Sequence, residues 1–240
     1  MTAPDRRFPR SVYREGAEPD VRFSLANERT FLAWIRTSLA LIAGGVALEA
    51  LGLGLQPGFR LAASIVLIVT GIAAPAQAWI GWMRTERALR RDHPLPSAAL
   101  SLPLGIAVVA AGDARAAGRA DGVSAPDPAA RPFDPGLQPE RTALAWRRTA
   151  LALVVGSLLG LRVLPTLLGA AGLVVAAVGV IAALTVLATA HRRYRRVHRI
   201  LTSGSAEPGT TRLPGGALPA LVAALTACAG LAALALALTR

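Results

Sequence analysis

Arg29 and Arg36 stand seven residues apart in LANERTFLAWIRTSLAL (25–41), and Arg141 and Arg148 repeat that spacing in LQPERTALAWRRTALAL (137–153). At 100° per residue, seven steps nearly complete two helical turns, so each pair forms one basic stripe while Trp34 or Trp146 points from another side. Guanidinium groups make bidentate, charge-assisted bonds to phosphate and carboxylate, and the chemistry offered by the pattern is anion binding. Glu28 and Glu140 precede the first arginine of each stripe and read as acids that orient Arg29 and Arg141, or as carboxylates favoured near a helix N-terminus. The same arginines have a second reading. Arg36 lies about 7 to 8 Å along the helix from Phe31, close enough to reach back to lipid headgroups and serve topology alone.

Such stripes need helices to carry them. With 53% hydrophobic and 17% charged residues in 240, the chain is too apolar for a water-facing surface, and a membrane protein is expected. Apolar runs of about 20 residues, the length that crosses a bilayer, are predicted at 31–55, 61–83, 149–168, 169–190 and 215–239. The Gly/Pro stretch at 53–59 and Pro165 punctuate the first two pairs of runs, so each pair is expected to fold as an antiparallel hairpin. A sixth segment, 95–112, is short and interrupted by Pro103, which removes an amide donor, and is marginal as a span. Residues 113–136 are rich in Ala, Pro, Gly and Asp without apolar periodicity and read as a flexible linker.

The halves on either side are copies. Leu25 to Gly44 matches Leu137 to Gly156 at 13 of 20 positions with an offset of 112 residues. The fold class is therefore an all-α, polytopic membrane protein built as a tandem repeat of a small three-helix unit. Its parts are a polar tail (1–24), a first unit (25–112), the linker, and a second unit (137–240). No cleaved targeting segment is expected, because the first apolar run is too long for a signal-peptide core.

All 26 basic residues are arginine, so arginine by itself marks little and its position carries the information. If all six segments crossed, the arginines would divide about equally between the two sides. If 95–112 does not cross, 23 lie on the side of the N-terminus, and only Arg60, Arg162 and Arg240 lie opposite. The positive-inside rule favours the second arrangement, with the N-terminus cytoplasmic and both ERT motifs on one face of a bacterial inner membrane.

Other features are read from their neighbours. Trp34 and Trp146 suit the interfacial aromatic belt. Ala40 and Gly44, and Ala152, Gly156 and Gly160, recur every four residues and offer ridges for close helix packing. HRRYRRVHR (191–199) contains no acid, and its Arg192, Arg193, Arg195, Arg196 and Arg199 are expected to face anionic lipid. In MRTERALRR (83–91), Arg84 is the candidate for facing the bundle. Glu49 is expected to reach the headgroups at the far side, with Arg162 of the other half as the alternative partner.

Several classes of function are not supported by this sequence. Three scattered histidines and the lone Cys228, expected to pack in its apolar run, make no metal site or disulfide framework. No phosphate loop or nucleophile triad can be assembled, so no enzyme activity and no cofactor are expected. The net charge of +12 lacks the aromatic interleaving of a nucleic-acid surface. The expected partners are anionic membrane lipid and either further copies of the chain or another membrane protein.

The first helix of each half also carries a resemblance. PDVRFSLANERTFLAWIRTSLALIAGGVALEAL resembles the YidH-type bacterial inner-membrane proteins, and DPGLQPERTALAWRRTALAL resembles their YidG-type relatives, so the chain looks like a fusion of two such units. These units resemble in turn the three-helix membrane domain of the eukaryotic vacuolar transporter chaperone complex, whose helices assemble into a polyphosphate-conducting pore lined by basic residues. The resemblance implies pore-facing roles for Arg29 and, through the repeat, Arg141. The chaperone pattern has no arginine at the place of Arg36 and carries polymerase domains that this chain lacks, so polyphosphate synthesis is not implied.

Overall fold

The structure, a computed structural model, describes residues 6–51, 54, 56–96, 138–202 and 214–238. Among these residues there are six helices and no strand: α1 (Arg10–Tyr13), α2 (Val21–Ala50), α3 (Pro57–Arg90), α4 (Gln138–Leu168), α5 (Ala170–Thr202) and α6 (Ala217–Leu238). All but α1 are long and apolar enough to cross a membrane, as the hydropathy of the sequence requires. The linker lies outside the described residues, and so does the marginal segment 95–112 apart from Leu95 and Pro96.

The helices overrun their apolar stretches. The 34 residues of α3 extend about 51 Å, against a hydrocarbon core of about 30 Å. The excess turns carry the motif residues and the arginine clusters. α2 starts at Val21, where the Asp20 side chain caps it by accepting from the Arg22 amide at 2.8 Å.

Long-range bonds fix the direction of each helix. Thr142 Oγ1 near the start of α4 donates to the Leu25 carbonyl near the start of α2 at 3.3 Å. Arg193, in the last turns of α5, reaches Glu28 of α2 and the carbonyls of Gly215 (3.1 Å) and Pro214 (3.2 Å) just before α6. Ala17, just before α2, donates its amide to the Arg90 carbonyl at the end of α3 (3.0 Å). The starts of α2, α4 and α6 and the ends of α3 and α5 therefore share one arginine-rich face. α3 ends and α4 begins on that face, so the two halves run parallel.

At the opposite end, Glu49 and Arg60 pair at 3.2 Å and close the first hairpin. This corrects the expectation that Glu49 reaches headgroups or Arg162, since Arg60 opens the very next helix. In the second hairpin the helix runs through Pro165, and the break falls at Gly169, whose φ of +58° is a conformation glycine adopts without a Cβ clash.

The α2–α3 seam is built on a reciprocal clasp. Ser38 donates to the Gly71 carbonyl, and Ser64 Oγ donates to the Gly45 carbonyl at 2.9 Å. A Cβ at Gly45 would sit 2.9 Å from the Ser64 carbonyl, and one at Gly71 would sit 3.1 Å from that of Ser38. The packing glycine of α2 is thus Gly45, one residue beyond the expected Gly44. Ala40, Gly44, Ala152 and Gly156 are exposed; a Cβ at Gly44 or Gly156 would meet nothing within 4 Å, and one at Gly160 only its own neighbour Leu164. Alanine-rich helices present small residues on several faces, and the seryl hydroxyls select the face used here.

α6 packs chiefly on α3 and α2, with less contact to α5. A Cβ at Gly230 would lie 2.5 Å from Ile72 and 3.1 Å from Ile42. The last helix of the second half thus completes a three-helix bundle with the first hairpin, and the halves interlock. Cys228 faces outward from α6, whereas its apolar surroundings in sequence suggested packing.

Candidate anion-binding face and the junction between halves

The junction is made by residues of the repeated motif used unequally. Glu28 is buried, and its two oxygens go to different helices of the other half: one to an ion pair with Arg193, the other to the Trp146 indole N–H at 3.1 Å. The side chains of this pair are only 11% and 4% exposed for Arg193 and Glu28. A buried charge pair is retained only when its remaining hydrogen-bonding capacity is met, and here two carbonyls and an indole meet it.

Three expectations change as a result. Glu28 holds the other half and is not reserved for orienting Arg29. Trp146, 3% exposed, is a core residue and not part of a lipid-facing belt, while Trp34 remains half-buried at the edge of the core. Arg193 points into the protein, leaving Arg192, Arg195, Arg196 and Arg199 as the exposed members of the cluster. Residue spacing alone could not separate Arg193 from its neighbours, because the partner that draws it inward is 165 positions away.

Beside this pair lies a second buried carboxylate that the sequence reading overlooked. Glu86 of α3 accepts from Ser24 Oγ at 2.9 Å and Asn27 Nδ2 at 3.3 Å, and Asn27 also donates to the Trp82 carbonyl at 3.1 Å. Ser24, Asn27 and Glu28 follow i, i+3, i+4 spacing, a polar face on an otherwise apolar helix, and that was the available signal.

The N-terminal segment, read as a tail, is strapped across the same end. Val12 and Tyr13 are buried. The guanidinium carbons of Arg7 and Arg90 lie 4.4 and 4.6 Å from the Tyr13 ring centroid, within cation–π range. Glu18 pairs with Arg7 and, at 2.9 Å, with Arg90. Phe8 stacks on Trp79, and Trp79 on Trp82. Burial pushes the Tyr13 hydroxyl above its ordinary range, and nearby Glu86 adds to the effect. Burial also pulls the Glu18 carboxyl upward, but the bonds from Arg7 and Arg90 outweigh it and hold the group below its usual range. The inward-facing arginine of this helix end is Arg90, 5% exposed, in place of the expected Arg84, which is exposed.

The arginine stripes run along the outside of this junction. Arg29 and Arg36 are half-buried, and Arg141 and Arg148 are exposed. Arg29 and Arg141 stand near the starts of α2 and α4, which the Thr142 bond to the Leu25 carbonyl brings together. Glu140 is half-buried at the start of α4. Among the described residues no cluster of His, Cys, Asp or Glu is suited to a metal ion.

The sequence profile of the family described as "Domain of unknown function (DUF202)" matches residues 22–88 and again 134–200, more than half of the chain. The chain belongs to the DUF202 family. Its DUF202 copies coincide with the two hairpins and leave α6 outside both matches. Inner membrane protein YidH of Escherichia coli (strain K12) is 42% identical over 86 residues, covering 35% of this chain and 75% of YidH. The uncharacterised protein Rv2272 of Mycobacterium tuberculosis (strain H37Rv) is 49% identical over 80 residues, covering 33% of this chain and 66% of that protein. The aligned region thus spans just under two thirds of the mycobacterial relative's length. No solved structure matches. This DUF202 protein is therefore an integral, multi-pass membrane protein carrying two copies of the domain, related to an inner-membrane protein.

Proposed function

We propose that this DUF202 protein forms a non-enzymatic assembly in the bacterial inner membrane that binds or conducts an anion through Arg29, Arg36, Arg141 and Arg148. The observation that carries this reading is the contact between the starts of α2 and α4 through Thr142 and the Leu25 carbonyl, which brings the Arg29 and Arg141 ends of the two stripes to one face. The neighbouring acid Glu28 is committed to Arg193 and Trp146. Clustered guanidinium groups raise the local anion concentration, and each planar fork binds ligands that offer it two oxygens, so a phosphate-containing solute fits the chemistry. The arginine-rich face is cytoplasmic in this reading, since Arg60 and Arg162 are the described arginines placed toward the other end.

Anion flux from vesicles reconstituted with the full chain tests the proposal. Wild-type protein passes phosphate, and Arg29→Ala with Arg141→Ala abolishes the flux. Unchanged flux in that double variant overturns the reading.

A scaffold that holds anionic lipid or a membrane partner is the second reading, favoured by the exposure of Arg192, Arg195, Arg196 and Arg199 at the membrane face. It expects no flux in any variant, with retention of anionic lipid that falls when those four arginines are neutralised.

A further inference from the structure

Glu86 of α3 is a buried acid, 4% exposed, that no cation neutralises among the described residues. Its Oε1 accepts from Ser24 Oγ at 2.9 Å and its Oε2 from Asn27 Nδ2 at 3.3 Å, so both bonds come from neutral donors of α2. The buried acid Glu28, by contrast, pairs with Arg193, and Glu18 pairs with Arg7 and Arg90. A lone charge withdrawn from water is expensive, and a carboxylate can shed it by taking up a proton.

The ionisable groups around Glu86 come from several elements. α2 brings Glu28, next in the chain to Asn27, with Arg193 of α5 bound behind it. The strap brings Tyr13 beneath the Arg90 guanidinium, and Arg90 itself follows Glu86 on α3. The one ionisable side chain of α6, Cys228, faces outward. Both protonation states have a place in this setting. Arg90 stands at the i+4 position that a glutamate side chain reaches along a helix. One of its terminal nitrogens is taken by Glu18 at 2.9 Å, but its Nε is buried and without a partner. The ionised carboxylate thus has a charged donor within reach, and the neutral acid keeps acceptor capacity for Ser24 and Asn27. Water is near as well: Arg90 ends α3 about 6 Å along the helix from Glu86, and Arg91 and Asp92 beyond it are exposed.

We propose that Glu86 is a proton-binding site at the arginine-rich end of the bundle, where the carboxylate and a solvent proton combine to the neutral acid between Ser24 and Asn27. A consequence for transport rests on the anion reading. The neutral acid removes one negative charge from the end that carries the arginine stripes, so an anion binds more tightly when Glu86 is protonated. By linkage, anion binding then draws a proton onto the protein.

Infrared difference spectra of the full chain in mild detergent, recorded while pH is stepped in water and in heavy water, test this. A carboxylic C=O band is expected at higher frequency than solvated carboxyl groups give, rising as pH falls and shifting in heavy water. Glu86→Gln is expected to lose that band and Glu18→Gln to keep it. Absence of the band, or a band that survives Glu86→Gln, overturns the proposal. Should Glu86→Gln fail to fold, Glu86→Asp decides, because it keeps the acid but stands one methylene short of Ser24 and Asn27. Its band is expected to shift, and an unmoved band overturns the proposal. Sulfate added to weakly buffered wild type is expected to drive proton uptake that Glu86→Gln loses. No uptake with an intact, Glu86-dependent band would count against the anion reading and leave the proton site standing.

Discussion

Glu28 and Arg193 lie 165 residues apart and form a buried ion pair that ties the repeated motif of the first half to the second helix of the other half. The pair draws an acid out of the arginine stripe and an arginine out of the exposed cluster near the end of α5. The same contact therefore organises the fold and sets the charge of the face beside it.

Breaking the pair from one side leaves an uncompensated buried charge. Arg193→Ala is expected to cost about 3–5 kcal/mol, and Glu28→Gln with Arg193→Met much less, because the double change removes both charges. Thermal unfolding in detergent of both variants checks the order. Equal losses would mean that the pair is not buried as described.

The α2–α3 seam distinguishes adjacent glycines. Gly45→Ala places a methyl 2.9 Å from the Ser64 carbonyl and is expected to lower stability by about 1–3 kcal/mol, whereas Gly44→Ala meets open space and is neutral or slightly stabilising. A comparison of the two melting temperatures reads this out.

The N-terminal strap responds to acid. The Glu18 carboxyl is held below its ordinary value of 4.5 in the folded chain, so its contribution is present above the unfolded value and is lost as pH falls through the folded one. Protease sensitivity of the N-terminal segment is expected to stay low at neutral pH and to rise below the usual carboxylate range. Glu18→Gln should raise sensitivity at neutral pH and flatten the profile.

α3 ends and α4 begins on one face, and the linker is expected on that side. A compartment-sensitive reporter fused near Ser124 is expected to report the cytoplasm, on the same side as a reporter at the N-terminus. Opposite locations would contradict parallel halves.

The parts of this architecture legible in the sequence were those written in local patterns. Five spans followed from apolar runs of spanning length, and the tandem halves from the matched ERT motifs. What the sequence concealed depends on distant partners. Nothing within HRRYRRVHR distinguishes Arg193 from Arg192; only the carboxylate of Glu28 does so. Gly44 and Gly45 are both small and adjacent, and the hydroxyl of Ser64 on the next helix selects the second. The strap looked like a tail because its few apolar residues, Phe8, Val12 and Tyr13, find their partners on α3 and show no periodicity of their own. Helix α6 was legible as a span, but its preference for the first hairpin is encoded by the approach of Gly230 to Ile42 and Ile72, which no spacing reveals.

The arginine stripes are tested most directly by charge selectivity. Planar-bilayer reversal potentials would be measured for the reconstituted chain under a salt gradient, for wild type and for Arg29→Glu with Arg141→Glu. An anion-permeable face gives a wild-type potential near that of the anion, moving toward that of the cation in the charge-reversed variant. A wild type without current, or one whose selectivity ignores the reversal, would contradict a role for Arg29 and Arg141 in anion passage.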